Sequence, residues 1–574
     1  MIPLVAIVGV VVATLLVGSR GWRGPKSTSD FLVASRAVRP GLNASAISGE
    51  YLSAASFLGV AGLVMRYGFD MAWYPVGYTA GYLLLLLLVA APLRRSGAYT
   101  IPDFAEARLV SPKLRKVAAG FVILIGVFYL LPQLKGAGIT LQAALGLPYW
   151  VGVVVVGAVI VANIAVRGMR SVTLAQAFLY WVKMIAISLP AIFLLIVLGG
   201  TGSSVLTGPS YPHFTKATSV QIGTATTVQL SVPESVVING QLDGRRVDGR
   251  VTLTPGRHRL GAPTRVEFGA GARVPVEVGQ PDVRGSTWSA PFGSGQGTGH
   301  PVFFVYSLLL ATVLGTMGLP HILVRFYTNR DGKDARRTTV AVIGLISVFY
   351  LFPSAVGALG RALDPQLYLT GNTDSVVLAL PTAAIAGLKG RLLAGLVDAG
   401  AIAAFLSTSS GLLVSVAGAL SHDLFGRSVA GFRTATVVGG LVAIAAGLKV
   451  APFDINVLVG WAFAIAASSF CPLLVLGIWW RRLTPTGAIA GLVIGGGMAS
   501  GAIVATMLGV APNGWWGAVL AEPAAWTVPV AFATMVVVSL RTPSRIPAGT
   551  TAWLLAVHAP ESLGLTQSEK PVLV

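Results

Sequence analysis

Apolar runs recur along the whole chain, separated for the most part by short polar loops. Thirteen can be drawn: residues 2–18, 43–65, 72–93, 116–145, 148–166, 173–199, 301–324, 338–360, 391–421, 432–449, 454–479, 486–509 and 524–540. Most approach or exceed the ~20 residues that cross a hydrocarbon core roughly 30 Å thick, so each is read as a transmembrane helix. We number them as the first to the thirteenth span. Two segments break the rhythm. Residues 200–300 are long and polar, and TTVQLSV, RVTLTP and TRVEFGAG within them alternate apolar and polar positions between Gly and Pro. That pattern predicts a small β-rich insertion outside the membrane. Residues 361–390 form a shorter outer segment with one amphipathic helix, and the tail from Arg541 is polar and expected to be poorly ordered.

Composition agrees with a polytopic membrane protein. Of 574 residues, 54% are hydrophobic and only 11% charged, and the mean hydropathy is +0.77; a soluble chain of this size needs far more polar surface. The net charge of +20 does not mark a nucleic-acid binder, because the basic residues sit in short loops rather than on one polar face. Arg20, Arg23, Lys26, Arg36 and Arg39 follow the first span, and Arg94, Arg95, Arg108, Lys113, Arg115 and Lys116 the third. Arg167 and Arg170 follow the fifth, Arg325, Arg330, Lys333, Arg336 and Arg337 the seventh, Arg427 and Arg433 the ninth, Arg481 and Arg482 the eleventh, and Arg541 and Arg545 the thirteenth. If the spans alternate, all these loops share one side. The positive-inside rule then puts the N-terminus outside and the C-terminus in the cytoplasm. Arginines in the long insertion do not break the rule, since long loops translocate largely regardless of charge. Positive charge follows the first apolar run instead of preceding it, which favours a retained span over a cleaved signal. Cys471 is the single cysteine and excludes disulfide frameworks and cysteine metal sites.

Polar residues inside spans are expensive and are functional candidates. The second span reads NASAISGEYLSAASFLGVAG, with Asn43, Ser45, Ser48, Glu50, Tyr51, Ser53 and Ser56. The ninth carries Asp398 and four consecutive hydroxyls, Ser407, Thr408, Ser409 and Ser410. A lone serine is most often helix-packing glue; four in a row at mid-span ask for more. A sodium ion needs about five oxygens, from hydroxyls and freed backbone carbonyls. Gly49, Gly59 and several small residues allow the second span to unwind. Gly315, Gly318 and Pro320 break the seventh near its inner half. Interrupted helices at corresponding positions of two halves point to the substrate site of an inverted-repeat transporter.

Several stretches together resemble the solute:sodium symporter family, and within it the cation/acetate (monocarboxylate) branch. They are SGEYLSAASFLGVAG (48–62), RRSGAYTIPDF (94–104), LPQLKGAG (131–138), GTMGLPHILVRFYT (315–328), ALSHDL (419–424) and AFAIAASS with RRLTPTGAIAG (462–491). The resemblance implies an all-α leucine-transporter-type fold of two inverted five-helix repeats in about 13 transmembrane helices, with the β-rich insertion added. The expected organisation is 1–42 as first helix and cytoplasmic loop, 43–199 and 301–480 as the repeats, 200–300 as the insertion, 481–541 as two further helices, and 542–574 as a cytoplasmic tail. It implies a multi-pass protein of the bacterial plasma membrane that couples sodium entry to uptake of acetate, propionate or pyruvate. No cofactor is implied beyond sodium as coupling ion, no nucleic acid, and no particular oligomeric state. The family's cation site maps to the carbonyls of Gly49, Leu52 and Ala404 and the hydroxyls of Ser407 and Thr408. The two hydroxyls favour sodium over a proton. Gln176 stands where some members carry an aspartate, which speaks against a second sodium. The substrate cavity maps to Ser56, Phe57, Gln133, Thr316, Met317 and Gly318, with the Gln133 amide or a broken helix end as donor to the carboxylate.

Other intramembrane residues have plain readings beside sharper ones. Glu50 tunes the ion, carries a proton, or pairs with a basic group at the inner end. Lys135 attracts the carboxylate or snorkels to the outer interface. Lys183, deeper in the sixth span, requires a carbonyl or carboxylate partner. His321 reads as structural rather than as a proton relay, Asp398 has no assigned role, and His422 and Asp423 read as capping or gate contacts. The rivals are a proline or sugar symporter on the same fold, a proton-coupled carrier, a membrane enzyme and a sensor. The absence of a His/Asp/Glu constellation in the spans speaks against the enzyme, and the short tail against the sensor.

Overall fold

The computed structural model describes residues 1–19, 38–166, 169–198, 211–223, 225–278, 285–293, 299–423, 429–512 and 514–563. Arg20, Arg23, Lys26, Arg36, Arg167 and Arg427 lie outside the described residues, as do the side chains of Arg170, His422 and Asp423.

Helices occupy nearly every predicted span. Among the described residues eleven are long and apolar enough to cross a membrane, twelve when the bent pair Pro40–Tyr51 and Ala55–Tyr67 counts as one. The fifth span, Tyr149–Ala165, is a shorter apolar helix. Burial separates core from periphery. In the apolar 18-residue stretch of the ninth span (Gly387–Ser421) 94% of residues are buried within the protein and in that of the eleventh (Ile455–Trp479) 89%, against 22% for the first. A helix buried on all sides carries small residues all round, as AGAIAAFLSTSSGLL in the ninth does. That helix packs on the first, fourth, sixth and tenth spans and on the second, so whatever the second and ninth hold between them lies at the centre of the bundle.

The insertion folds as expected into antiparallel strands, β1 (Thr218–Ile222), β2 (Thr226–Leu230), β3 (Glu234–Leu242), β4 (Arg245–Leu253), β5 (Gly256–Leu260), β6 (Thr264–Phe268) and β7 (Val276–Glu277). The order is β1-β6-β3-β5-β2-β7, with β4 paired to β3. Alternation puts Val220, Ile222, Val228, Val236, Ile238, Val266 and Phe268 in one small core. A following turn, Gly285–Trp288, drives the Trp288 ring into the bundle, where its indole N–H donates to the Met65 carbonyl at 3.0 Å. Residues 361–390 carry two short helices, Leu367–Thr370 and Val376–Ala384. The second is apolar and buried over much of its length.

The tail corrects an expectation. Residues 543–563 are ordered through the helix Thr550–His558. Trp553 and Val557 are buried, and Trp553 meets Phe104 edge-on at 5.6 Å. Arg108 donates to Gly477 O and Thr550 Oγ1. Glu561 pairs with Arg95 at 3.1 Å and accepts from Gly332 N at 2.6 Å, at the start of the eighth span. A few apolar residues and one carboxylate suffice to dock a segment whose overall polarity predicts disorder. Burial acts to raise the Glu561 carboxyl, but the hydrogen bonds from Arg95 and Gly332 outweigh it and hold it below its usual 4.5. A carboxyl lowered on folding contributes docking stability that is fully present above 4.5 and is lost as pH falls through the lower value. Glu561→Gln is therefore expected to make the tail more sensitive to limited proteolysis at neutral pH and to remove the acid-dependent part of that sensitivity.

Candidate functional site

The second span is two helices meeting at 69°. The first half ends at Tyr51, Leu52 leaves helical geometry at φ −73, ψ 87, and the second half restarts with the π-helical turn Ala55–Gly59. Between them stand Leu52, Ser53 and Ala54. Small residues at Gly49, Ser53, Ala54 and Ala55 let neighbouring helices come close while the backbone turns, and the turn frees carbonyls that must find partners inside the protein.

Those partners come from the sixth and ninth spans. Lys183 is fully buried. Its Nζ donates to Gly49 O, to Leu52 O at 2.6 Å and to Ser407 Oγ at 2.9 Å. Three N–H donors thus meet three oxygens. Ser407 Oγ donates to Gly49 O at 2.6 Å and contacts Ala404 O at 3.2 Å, and Thr408 Oγ1 donates to Glu50 O at 2.6 Å. Of the five expected cation ligands, Gly49, Leu52 and Ser407 converge on one point, and a lysine ammonium occupies it. Ala404 and Thr408 brace the same junction one bond away. A sodium ion does not fit beside that ammonium, since both need the same three oxygens. Ser410 bonds back to Leu406 O on its own helix, and Ser409 Oγ is buried without a partner among the described residues. Among those residues no cluster of His, Cys, Asp and Glu forms a metal site.

Below the cage, toward the end of the bundle that carries the basic loops, a charged network ties the same spans together. Glu50 Oε2 accepts from Arg325 Nε at 2.6 Å, with both side chains at 1% exposure or less. Arg325 also donates to Thr173 Oγ1 at 2.7 Å and to Gln176 Oε1. The Gln176 amide donates in turn to Ser407 O at 2.9 Å. Gln176 therefore couples the ion pair to the cage. Arg325 is not the loop charge that its place after the seventh span suggests. It lies in the helix Pro320–Phe326, beyond the break at Met317–Leu319.

Above the network two of the predicted cavity residues, Ser56 and Thr316, bond tyrosines of an aromatic box. Ser56 Oγ hydrogen-bonds Tyr350 Oη at 2.8 Å, and Tyr350 stacks on Tyr78 at 6.0 Å. Tyr51 bonds the Thr316 hydroxyl at 2.9 Å and packs on Tyr78, Tyr82 and Phe463. Gln133 Oε1 accepts from Ala54 N at 2.9 Å, so in this closed arrangement its amide caps the restarted helix. Phe57 points instead toward Phe349 and Gly400. Met317 is buried, and Gly318 lies against the Ala466 carbonyl. The tyrosines 78, 82, 129 and 350 escaped the sequence reading, although the spacing of Tyr74, Tyr78 and Tyr82 on one helical face was visible. The hydroxyls of Tyr78 and Tyr82 and both ring nitrogens of His321 are buried without partners among the described residues; His321 lies edge-on to Tyr129 at 5.1 Å.

The insertion end is closed as well. Arg66 pairs with Asp454 at 2.7 Å. Lys135 pairs with Asp374 at 3.2 Å and donates to Phe453 O. Lys135 is thus neither a free anion magnet nor a snorkelling chain. Arg361 lies over the Trp288 ring at 4.9 Å, which joins the insertion to the end of the eighth span.

Comparison with known proteins agrees with this architecture. The model of the sodium:solute symporter family matches residues 31–229 and 293–495, leaving out most of the insertion. The chain is 31% identical over 501 residues to an uncharacterised symporter of Bacillus subtilis, YwcA, covering 85% of this chain and 83% of that one. It is 29% identical over 501 residues to a monocarboxylic acid transporter of Corynebacterium glutamicum, covering 84% and 80%. A solved Na+-coupled sialic acid symporter in an outward-open state superposes with a TM-score of 0.62 at 13% identity, over 94% of this chain and 98% of that one. The fold is of the leucine-transporter type, the protein is a multi-pass membrane transporter rather than an enzyme, and the chain belongs to the sodium:solute symporter family.

Proposed function

We propose that this chain is a secondary active symporter that takes up a short monocarboxylate, such as acetate, propionate or pyruvate, together with a cation by alternating access, with the basic end facing the cytoplasm. One observation carries the reading. The carbonyls of a broken helix and a hydroxyl of the helix facing it converge on a single positive charge, and the broken helix continues into a box with two phenol hydroxyls unpartnered among the described residues. A cation held at that junction fixes how the two spans pack, and the solute beside it reads the same packing; each then raises the affinity for the other. The box offers a two- or three-carbon acid the groups it needs. Its carboxylate accepts from Tyr78, Tyr82 or Ser56, and its short apolar end rests on aromatic rings. A sugar would need many more donors and acceptors. The printed name of the Corynebacterium relative supports the same substrate class.

Uptake of labelled pyruvate by proteoliposomes tests this. Excess unlabelled acetate and propionate are expected to suppress it, and proline and glucose to leave it unchanged; the reverse pattern would replace the substrate class. Tyr78→Phe and Ser56→Ala each remove one hydroxyl, and at about 1 kcal/mol per hydrogen bond the KM is expected to rise roughly fivefold with little change in maximal rate.

A further inference from the structure

We infer that the coupling ion of this chain is a proton carried by Lys183, whose ammonium stands in the cage where a sodium ion would be held. The inference deepens the symport reading and rests on it for the solute, but not for the cage.

The geometry is specific to a monocation with three donors. Lys183 Nζ satisfies Gly49 O, Leu52 O and Ser407 Oγ together, and so joins the sixth span to both halves of the second–ninth junction. A second cation a few ångströms away would face a repulsion of about 4 kcal/mol at an effective dielectric of 20. The oxygens around the ammonium are neutral. The carboxylate whose field reaches it is Glu50, and Glu50 is bonded to Arg325. The ninth span offers the hydroxyls of Ser407 and Thr408 there, and its Asp398 lies nine residues before Ser407. The first span and the helix Val376–Ala384 carry no charged residue, and the eighth has its charges, Lys333, Asp334, Arg336, Arg337 and Arg361, near its two ends. Tyr180, one turn before Lys183, spends its hydroxyl on Leu345 O. Among the described residues no carboxylate bonds the Lys183 ammonium, and its three partners are neutral oxygens.

A small cavity lined by Thr14, Asn163, Ser171, Gln176, Ser407 and Ser410, with the apolar Val172, Ala175 and Leu179, touches the cage through Ser407. Ser171 opens the sixth span about one and a half turns before Gln176, toward the basic end. The step balances as a proton transfer. The ammonium gives one proton to water in that cavity, leaving a neutral amine and a hydronium ion bound for the cytoplasm. The amine later takes a proton from water that enters from the insertion side. In the neutral state two N–H donors and one lone pair face three oxygens. One bond becomes a repulsion and the others lose their charge assistance, so the sixth span is released from the broken helix and the inner side can open. Reprotonation pins it again.

Two measurements on the full-length protein test this. Thermal unfolding in detergent, with sodium replacing potassium, should leave the wild-type midpoint unchanged. Lys183→Ala, whose cage is vacated, should gain a sodium-dependent rise of several degrees. In proteoliposomes, one pH unit, alkaline inside, should drive pyruvate to about tenfold accumulation, unaffected by sodium. Lys183→Ala should lose that accumulation. Wild-type protein stabilised by sodium, accumulation that follows a sodium gradient and ignores pH, or Lys183→Ala still concentrating pyruvate under a pH gradient would each overturn the assignment. If no short carboxylate shows counterflow, the substrate reading fails, and the melting comparison still decides the ion.

Discussion

Arg325→Ala is expected to abolish uptake and to lower the stability of the purified protein by about 3–5 kcal/mol, the cost of stranding one partner of a buried ion pair. The magnitude follows from burial. Glu50 and Arg325 are at 0% and 1% exposure and 2.6 Å apart, and the arginine also holds Thr173 and Gln176. Removing the guanidinium leaves the Glu50 carboxylate buried against Gly411, where a Cβ would overlap it, without the charge that balances it. Two further variants separate stability from transport. Removing both charges, as Glu50→Gln with Arg325→Met, should recover much of the melting temperature, because the uncompensated charge is gone. It should not recover uptake, because the link from the inner network through Gln176 to Ser407 O is gone with it. A double variant that transports normally would show the pair to be structural filling.

Gly49→Ala is expected to cost nearly as much function with a smaller loss of stability, about 1–3 kcal/mol as for an overpacked core. A Cβ at position 49 would overlap the Gln176 carbonyl oxygen and press on Tyr180. Backbone is in the way, so no rotamer change relieves the contact. The sixth span must back away from the second, and Lys183 Nζ withdraws from Gly49 O and Leu52 O. Uptake by Gly49→Ala should fall at least tenfold while Gly41→Ala, which meets nothing within 4 Å, behaves as wild type. Equal activity of the two would mean that the close approach of the sixth span has no part in transport.

Much of this site was readable before the fold was known, and the reasons are physical. Residues that break helices are local, so Gly49 with its small neighbours and Gly315, Gly318 and Pro320 announced both interruptions, which the structure places at 52–54 and 317–319. Hydroxyls at mid-span are costly enough to be noticed, so Ser407 and Thr408 stood out. What contacts them was not local. Lys183 lies 224 positions from Ser407, and a periodic pattern tells which face of a helix is polar without telling what faces it. Its need for a carbonyl partner was legible; that the carbonyls would be those of the cage was not. The box was missed for another reason. Tyrosines in a membrane protein suggest the interfacial belt, and only packing reveals that Tyr78, Tyr82, Tyr129 and Tyr350 are buried together. Arg325 was read as a loop charge because the break in the seventh span leaves a short helix, Pro320–Phe326, inside the bundle.

The most direct test of the account records intravesicular pH and labelled pyruvate together while purified protein in liposomes takes up pyruvate with no gradient imposed. A coupling cation that is a proton on Lys183 predicts acidification of the lumen in step with pyruvate entry, one proton per pyruvate above empty vesicles, with or without sodium, and no such acidification in Lys183→Ala. Pyruvate entering the wild-type vesicles while the lumen stays at its starting pH would contradict it.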